Sequence, residues 1–186
     1  MPRKTVPKLD LTGTTCIWGQ SESGKSYLAQ MMVNAAKPQQ LVVIDPLSAE
    51  GTDAPGVQAA LAAGSPVVVC NDSRKDHQLG AIAFALNHST PETPVYVVAD
   101  EAPGYLDTRR DLISRAILQG RHAGFGMLII GQRPSSVFAE YRTQAKATYW
   151  LKMYDHTDIQ VAKQSLGNRA EELKGFKQGD FIKWPE

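Results

Sequence analysis

Apolar residues along the chain fall into short continuous runs, separated by stretches in which they recur at helical spacing. Runs at 14–18 (Thr-Thr-Cys-Ile-Trp), 41–45 (Leu-Val-Val-Ile-Asp), 66–70 (Pro-Val-Val-Val-Cys), 95–99 (Val-Tyr-Val-Val-Ala) and 127–130 (Met-Leu-Ile-Ile) predict five strands, and 147–153 a sixth. Leu28, Met31, Met32 and Ala35 predict a helix over 25–36, closed by Lys37-Pro38. Further helices are predicted over 57–63, 78–87, 107–119, 157–165 and 169–173, with a last strand at 180–183. The segments 48–56 and 89–94 read as surface loops.

Strands that are apolar throughout, rather than alternating, and that are separated by helices predict a mainly parallel sheet covered on both faces. The expected architecture is therefore a doubly wound α/β domain over residues 14–186, preceded by a short arm at 1–13. In such sheets ligands gather at the carboxyl ends of the strands, so polar residues placed just after strands carry the candidate chemistry.

Composition narrows the classes without naming one. The chain has 186 residues, 42% of them hydrophobic and 21% charged, as in ordinary globular domains. Twenty Lys and Arg against nineteen Asp and Glu leave a net charge of +1, so nucleic acid is not held by a polybasic coat and any such contact is local. Cys16 and Cys70 lie in or beside apolar runs, which predicts buried thiols rather than a disulfide or zinc site. The basic N-terminus has no apolar stretch behind it, and no run approaches the roughly 18 apolar residues that span a bilayer. An intracellular protein without its own membrane anchor is expected.

Directly after the first strand stands Gly19-Gln20-Ser21-Glu22-Ser23-Gly24-Lys25-Ser26, followed by Tyr27, a full match to the phosphate-loop pattern G-x-x-x-x-G-K-[ST] in its strand-to-helix context. Its glycines let backbone N–H groups turn towards phosphate oxygens at a helix N-terminus. Lys25 is placed to reach the β- and γ-phosphates of ATP, and Ser26 to hold Mg²⁺. The fourth strand runs into Asp100-Glu101: Asp100 is expected in the Mg²⁺ shell, with Glu101 as the base that activates a water. A second carboxylate favours hydrolysis over the transfer that a nucleotide or small-molecule kinase performs.

These segments, together with Val-Ile-Asp-Pro after the second strand and Gly120-Arg-His-Ala-Gly-Phe-Gly-Met-Leu-Ile-Ile-Gly-Gln-Arg-Pro-Ser135, resemble the FtsK–HerA superfamily of DNA-pumping ATPases over about residues 14–183. The resemblance implies a RecA-like P-loop fold with a C-terminal helical and β-hairpin extension, the hairpin falling at 175–182. It implies that Gln132 senses the γ-phosphate and that Arg121 enters a neighbouring subunit's site as a finger, hence a homo-oligomeric ring, expected as a hexamer. His122 beside it reads as structural. A nearly bare motor of this length is similar to the genome-packaging ATPases of tailless icosahedral viruses with an internal membrane. That likeness implies double-stranded DNA as a partner, docking on a capsid vertex or viral membrane protein, and work in the host cytoplasm. Arg109, Arg110, Arg74 and Lys75 are the basic residues expected to meet DNA phosphates. A cellular HerA-like motor and a P-loop kinase remain open alternatives.

Overall fold

A computed structural model of the chain describes residues 6–185, so residues 1–5 of the expected arm and residue 186 lie outside the described residues. The three strands buried along their whole lengths, β1 (Thr14–Trp18), β4 (Val95–Ala99) and β5 (Phe125–Gly131), form the middle of the sheet. They stand in the order β4, β5, β1, with β2 (Gln40–Ile44) and β3 (Val67–Cys70) outside β4. Outside β1 come β6 (Ala147–Trp150) and β7 (Ile182–Trp184). All pairings are parallel except the last, β6 with β7. This is the α/β architecture of a RecA-like P-loop fold, with one strand inserted between the phosphate-loop strand and the strand that ends in the acidic pair.

The two faces are covered unequally. Against one lies α1 (Lys25–Ala36), whose Leu28, Ala29, Met32 and Val33 pack with Ile17, Tyr96, Val98, Leu128 and Ile130. Against the other lie α2 (Ala54–Ala62), α3 (Lys75–His88), α4 (Arg110–Gln119) and α6 (His156–Leu166) over Cys16, Trp18, Ile44, Val97, Met127 and Ile129. Both cysteines are free and buried, as their apolar settings predict. No described helix is long and apolar enough to cross a membrane.

Three elements differ from expectation for local reasons. α2 begins at Ala54 rather than 57, because the Asp53 side chain caps it by accepting from the Gly56 N–H and Pro55 sits in its first turn. The helix predicted over 107–119 is two pieces, a 3₁₀ turn at Leu106–Arg109 and then α4, broken where Arg109 takes φ −131° and ψ 68°. The C-terminal hairpin is not formed. Residues Lys177 to Asp180 close a tight turn, with the Asp180 N–H donating to the Lys177 carbonyl, and the strand that follows pairs with β6 instead of with a sister strand. Edge pairing to β6 gives β7 a ladder that a two-stranded ribbon alone would supply poorly in water.

Candidate nucleotide site

The phosphate loop leaves the sheet between β5 and β6. The Gly19 N–H donates to the Gly131 carbonyl at 3.3 Å and the Gln20 N–H to the Lys152 carbonyl at 2.9 Å, fixing where the loop starts. Two left-handed residues, Glu22 at φ 60° and Gly24 at φ 99°, then curl it. At the second the fit is close: a Cβ on Gly24 would stand 3.1 Å from the Gly179 nitrogen, and that same Gly179 N–H donates to the Ser23 carbonyl at 2.9 Å. The C-terminal turn thus rests on the phosphate loop.

Within the loop, the Lys25 ammonium is turned back to donate to the Gln20 carbonyl at 2.9 Å. Burial lowers its pKa, against the raising pull of Glu101 and then Asp100. The Ser23 hydroxyl is buried without a hydrogen-bond partner among the described residues. A buried, unpaired hydroxyl and a retracted lysine in one loop at a helix N-terminus suit a polyanion.

Asp100 and Glu101 follow β4. The Asp100 N–H donates to the Ile44 carbonyl at 3.0 Å, and the buried Tyr105 hydroxyl donates to the Asp100 carbonyl at 3.1 Å. Burial raises the Asp100 pKa most, and the Glu101 and Asp45 carboxylates raise it further, against a hydrogen bond from the Glu101 N–H and the charge of Lys25. A carboxyl whose ionisation is opposed by two other carboxylates and by burial fits a divalent cation, which reverses that balance. Ser26 and Asp100 face one cleft, and Asp45 at the end of β2 lines it too. Asp45 was missed as a site residue, although its place after an all-apolar strand was a usable signal.

Because the folded-state pKa of Asp100 lies above its unfolded value, the protonated form is favoured by folding. Its stabilising effect is complete below the unfolded carboxylate pKa and is lost as pH rises through the folded one. Asp100→Asn should therefore melt at a higher temperature than the parent in nucleotide-free protein at pH 7, with the gap closing as pH falls into the carboxylate range. Thermal melts of both proteins across that range, without nucleotide or metal, make the measurement.

Glu101 takes a left-handed conformation, φ 47°, rare outside glycine and strained enough to point to a functional constraint. Its Oε1 accepts from Gln132 Nε2 at 3.0 Å. Gln132 reaches it because β5 lies between β1 and β4, which puts its residue after the strand directly between the loop and the acidic pair.

Arg121 stands at the other end of β5, exposed on the 3₁₀ turn Gly120–Ala123, its Nε against His122 Nε2 at 3.2 Å. It borders a pocket at the amino edge of the sheet with Leu11, Pro94 and Gly124. At about 3.3 Å per residue, β5 separates it from Gln132 by roughly 20 Å.

Of the four expected DNA contacts, three cations are engaged within the chain. Arg109 is paired with Asp111 at 3.0 Å, and Arg74 with Asp72. Arg110 is paired with Glu140 at 3.2 Å and lies over the Phe138 ring at 4.5 Å. Lys75 is exposed at the first residue of α3. Arg109 and Asp76, the neighbour of Lys75, line one groove between α3 and α4, so the two basic pairs, distant in sequence, are neighbours in space.

No protein-family model and no curated protein sequence matches the chain. Solved structures do. The genome packaging NTPase B204 from Sulfolobus turreted icosahedral virus 2, in complex with AMPPCP, superposes with a TM-score of 0.77 at 20% identity, over 94% of this chain and 92% of that one. Its complex with ATP-gammaS gives 0.77 at 22%, over 94% and 93%. The pCW3 conjugation coupling protein TcpA, as a monomer with ATPgS, gives 0.61 at 16%, over 94% of this chain and 60% of that one. At such identities the likeness establishes the fold.

Proposed function

We propose that the chain is an FtsK–HerA-type ATPase that drives double-stranded DNA into a preformed viral capsid, hydrolysing ATP at the subunit interfaces of a ring. The observation that carries the hydrolytic reading is the contact of Gln132 with Glu101 at 3.0 Å, made by a strand inserted between the phosphate-loop strand and the acidic-pair strand. The fold shared with a viral genome-packaging NTPase bound to ATP analogues supports the packaging assignment.

In this reading the backbone N–H groups of 19–26 and the Lys25 ammonium, released from the Gln20 carbonyl, hold the phosphates of ATP. Ser26 and Asp100 are the residues that would hold Mg²⁺, which when bound neutralises charge on the β- and γ-phosphoryl oxygens. Glu101 accepts a proton from water as the water oxygen bonds to the γ-phosphorus. The bond from that phosphorus to the β–γ bridging oxygen breaks and its electrons stay with ADP. The Gln132 amide has two N–H donors, enough to keep hold of Glu101 with one and orient the γ-phosphate or the water with the other. Arg121 cannot reach its own nucleotide from the opposite end of β5, so its charge serves the next subunit.

DNA would be gripped by phosphate contacts alone, from Lys75 and from Arg74, Arg109 and Arg110 once they exchange carboxylate for phosphate partners. The test is ATP hydrolysis with and without double-stranded DNA, alongside mass measurement with nucleotide bound. We expect hydrolysis to rise with DNA and the mass to be that of a ring. A monomer in every nucleotide state with no DNA stimulation would reject the motor. Phosphoryl transfer to a small acceptor would make it a kinase.

A further inference from the structure

Asp158, on the first turn of α6, is a carboxylate only 2% exposed that neither the nucleotide site nor the apolar core requires. Burying a carboxylate is costly unless it is paired and hydrogen-bonded. Among the described residues, the hydrogen-bond and ion-pair partners of its carboxylate lie on one segment, the loop that leaves β5 immediately after Gln132. Oδ1 accepts from the Ser135 N–H at 3.1 Å and from the Ser135 hydroxyl at 2.5 Å, and Oδ2 lies 3.5 Å from Arg133 Nε. Arg133 is shared with Asp155, the N-cap of the same helix, at 3.1 Å. From the other side the half-buried Arg142, on α5 (Ala139–Thr143), donates to the carbonyls of Pro134 and Val137, both at 2.6 Å.

We infer that Asp158, with Arg133 and Ser135, is a latch that sets the position of the Gln132 amide, making α6 a support for γ-phosphate sensing. The inference rests on Gln132 having the sensing role proposed above. A side chain one residue beyond a strand end has the freedom of the loop that follows, and a displacement of about 1 Å at a reacting group can cost a hundredfold in rate. Fixing Arg133 and Ser135 to a rigid helix removes that freedom on the far side of Gln132, as the β5 ladder removes it on the near side. The Asp158 carboxylate acts through Ser135 and Arg133 in this arrangement. It is a positioning residue.

Asp158→Asn, Ser135→Ala and Gln132→Ala, alone and with Gln132→Ala combined with each of the other two, test the latch in single-turnover ATP hydrolysis with nucleotide affinity measured separately. Expected for Asp158→Asn and Ser135→Ala is a fall in the hydrolysis rate of about 10-fold or more with nucleotide affinity within about twofold. In the Gln132→Ala background neither change should slow hydrolysis further, because the side chain they position is gone. An equal rate loss in both backgrounds would mean a merely structural tie and overturn the latch. So would unchanged rates in the single variants while Gln132→Ala is slow. If Gln132→Ala itself hydrolyses at the parent rate, the sensor reading fails and the latch with it. Should Asp158→Asn not fold, Ser135→Ala carries the same comparison, since it removes a partner while leaving the carboxylate and Arg133 in place.

Discussion

Glu101→Gln should hydrolyse ATP about 10²- to 10⁴-fold more slowly than the parent and still bind it. The substitution keeps the size of the side chain and its hydrogen-bonding oxygen, so the contact with Gln132 can persist while the base is removed. Nothing in the phosphate loop changes, so binding of a fluorescent ATP analogue should stay within a few-fold of the parent value. Single-turnover hydrolysis and equilibrium binding, measured on the same preparation, separate the two effects. Parent-like hydrolysis would remove Glu101 from the reaction, whereas lost binding would assign it to the nucleotide pocket instead.

Arg121→Ala should be as severe and in a more informative way. A trans-acting arginine is worth about 10³- to 10⁵-fold in rate, yet this residue lies roughly 20 Å from the Gln132 end of its own strand. Each variant subunit therefore keeps an intact phosphate loop and acidic pair and lacks only what it lends. Mixing Arg121→Ala with Glu101→Gln subunits should recover activity, because an interface formed by the sound half of each is complete. Assays across mixing ratios should show a maximum between two nearly inactive pure proteins. A flat profile would leave Arg121 as a cation near the end of α4 and no more, a role its exposed place beside His122 also permits.

What the linear sequence makes readable follows from how local each determinant is. The bounds of β1, α1 and β4 agree with the apolar pattern because each has a sharp boundary next to it: Gly19, Lys37-Pro38 and Asp100. The phosphate loop and the acidic pair are contiguous strings and can be read the same way. The break before α4 has no glycine or proline to mark it, since Arg109 simply adopts a non-helical backbone under tertiary constraint. The pairing of β7 with β6 is a contact across a helix and a long 3₁₀ segment, which no local pattern announces and which the hairpin implied by the resemblance does not describe. Asp45 and Asp158 belong to the site, or to its support, only because folding brings β2 and α6 to it. In sequence Asp158 is an acid at a helix start, a very common setting, whereas Asp45 carries only the signal of an acid after an all-apolar strand.

The place of β5 in the sheet limits how such a molecule can move. All seven residues are buried and the strand is hydrogen-bonded on both sides, in register from Met127 to Gly131 against β1 and from Phe125 to Ile129 against β4. Sliding it by even one position would break both ladders at once and turn each side chain to the wrong face. The distance between the two ends of the strand is thus a fixed length, like a connecting rod. In the ring proposed above, a power stroke would carry β5 and its neighbouring strands as one body, with local change left to the side chains and loops at the strand ends.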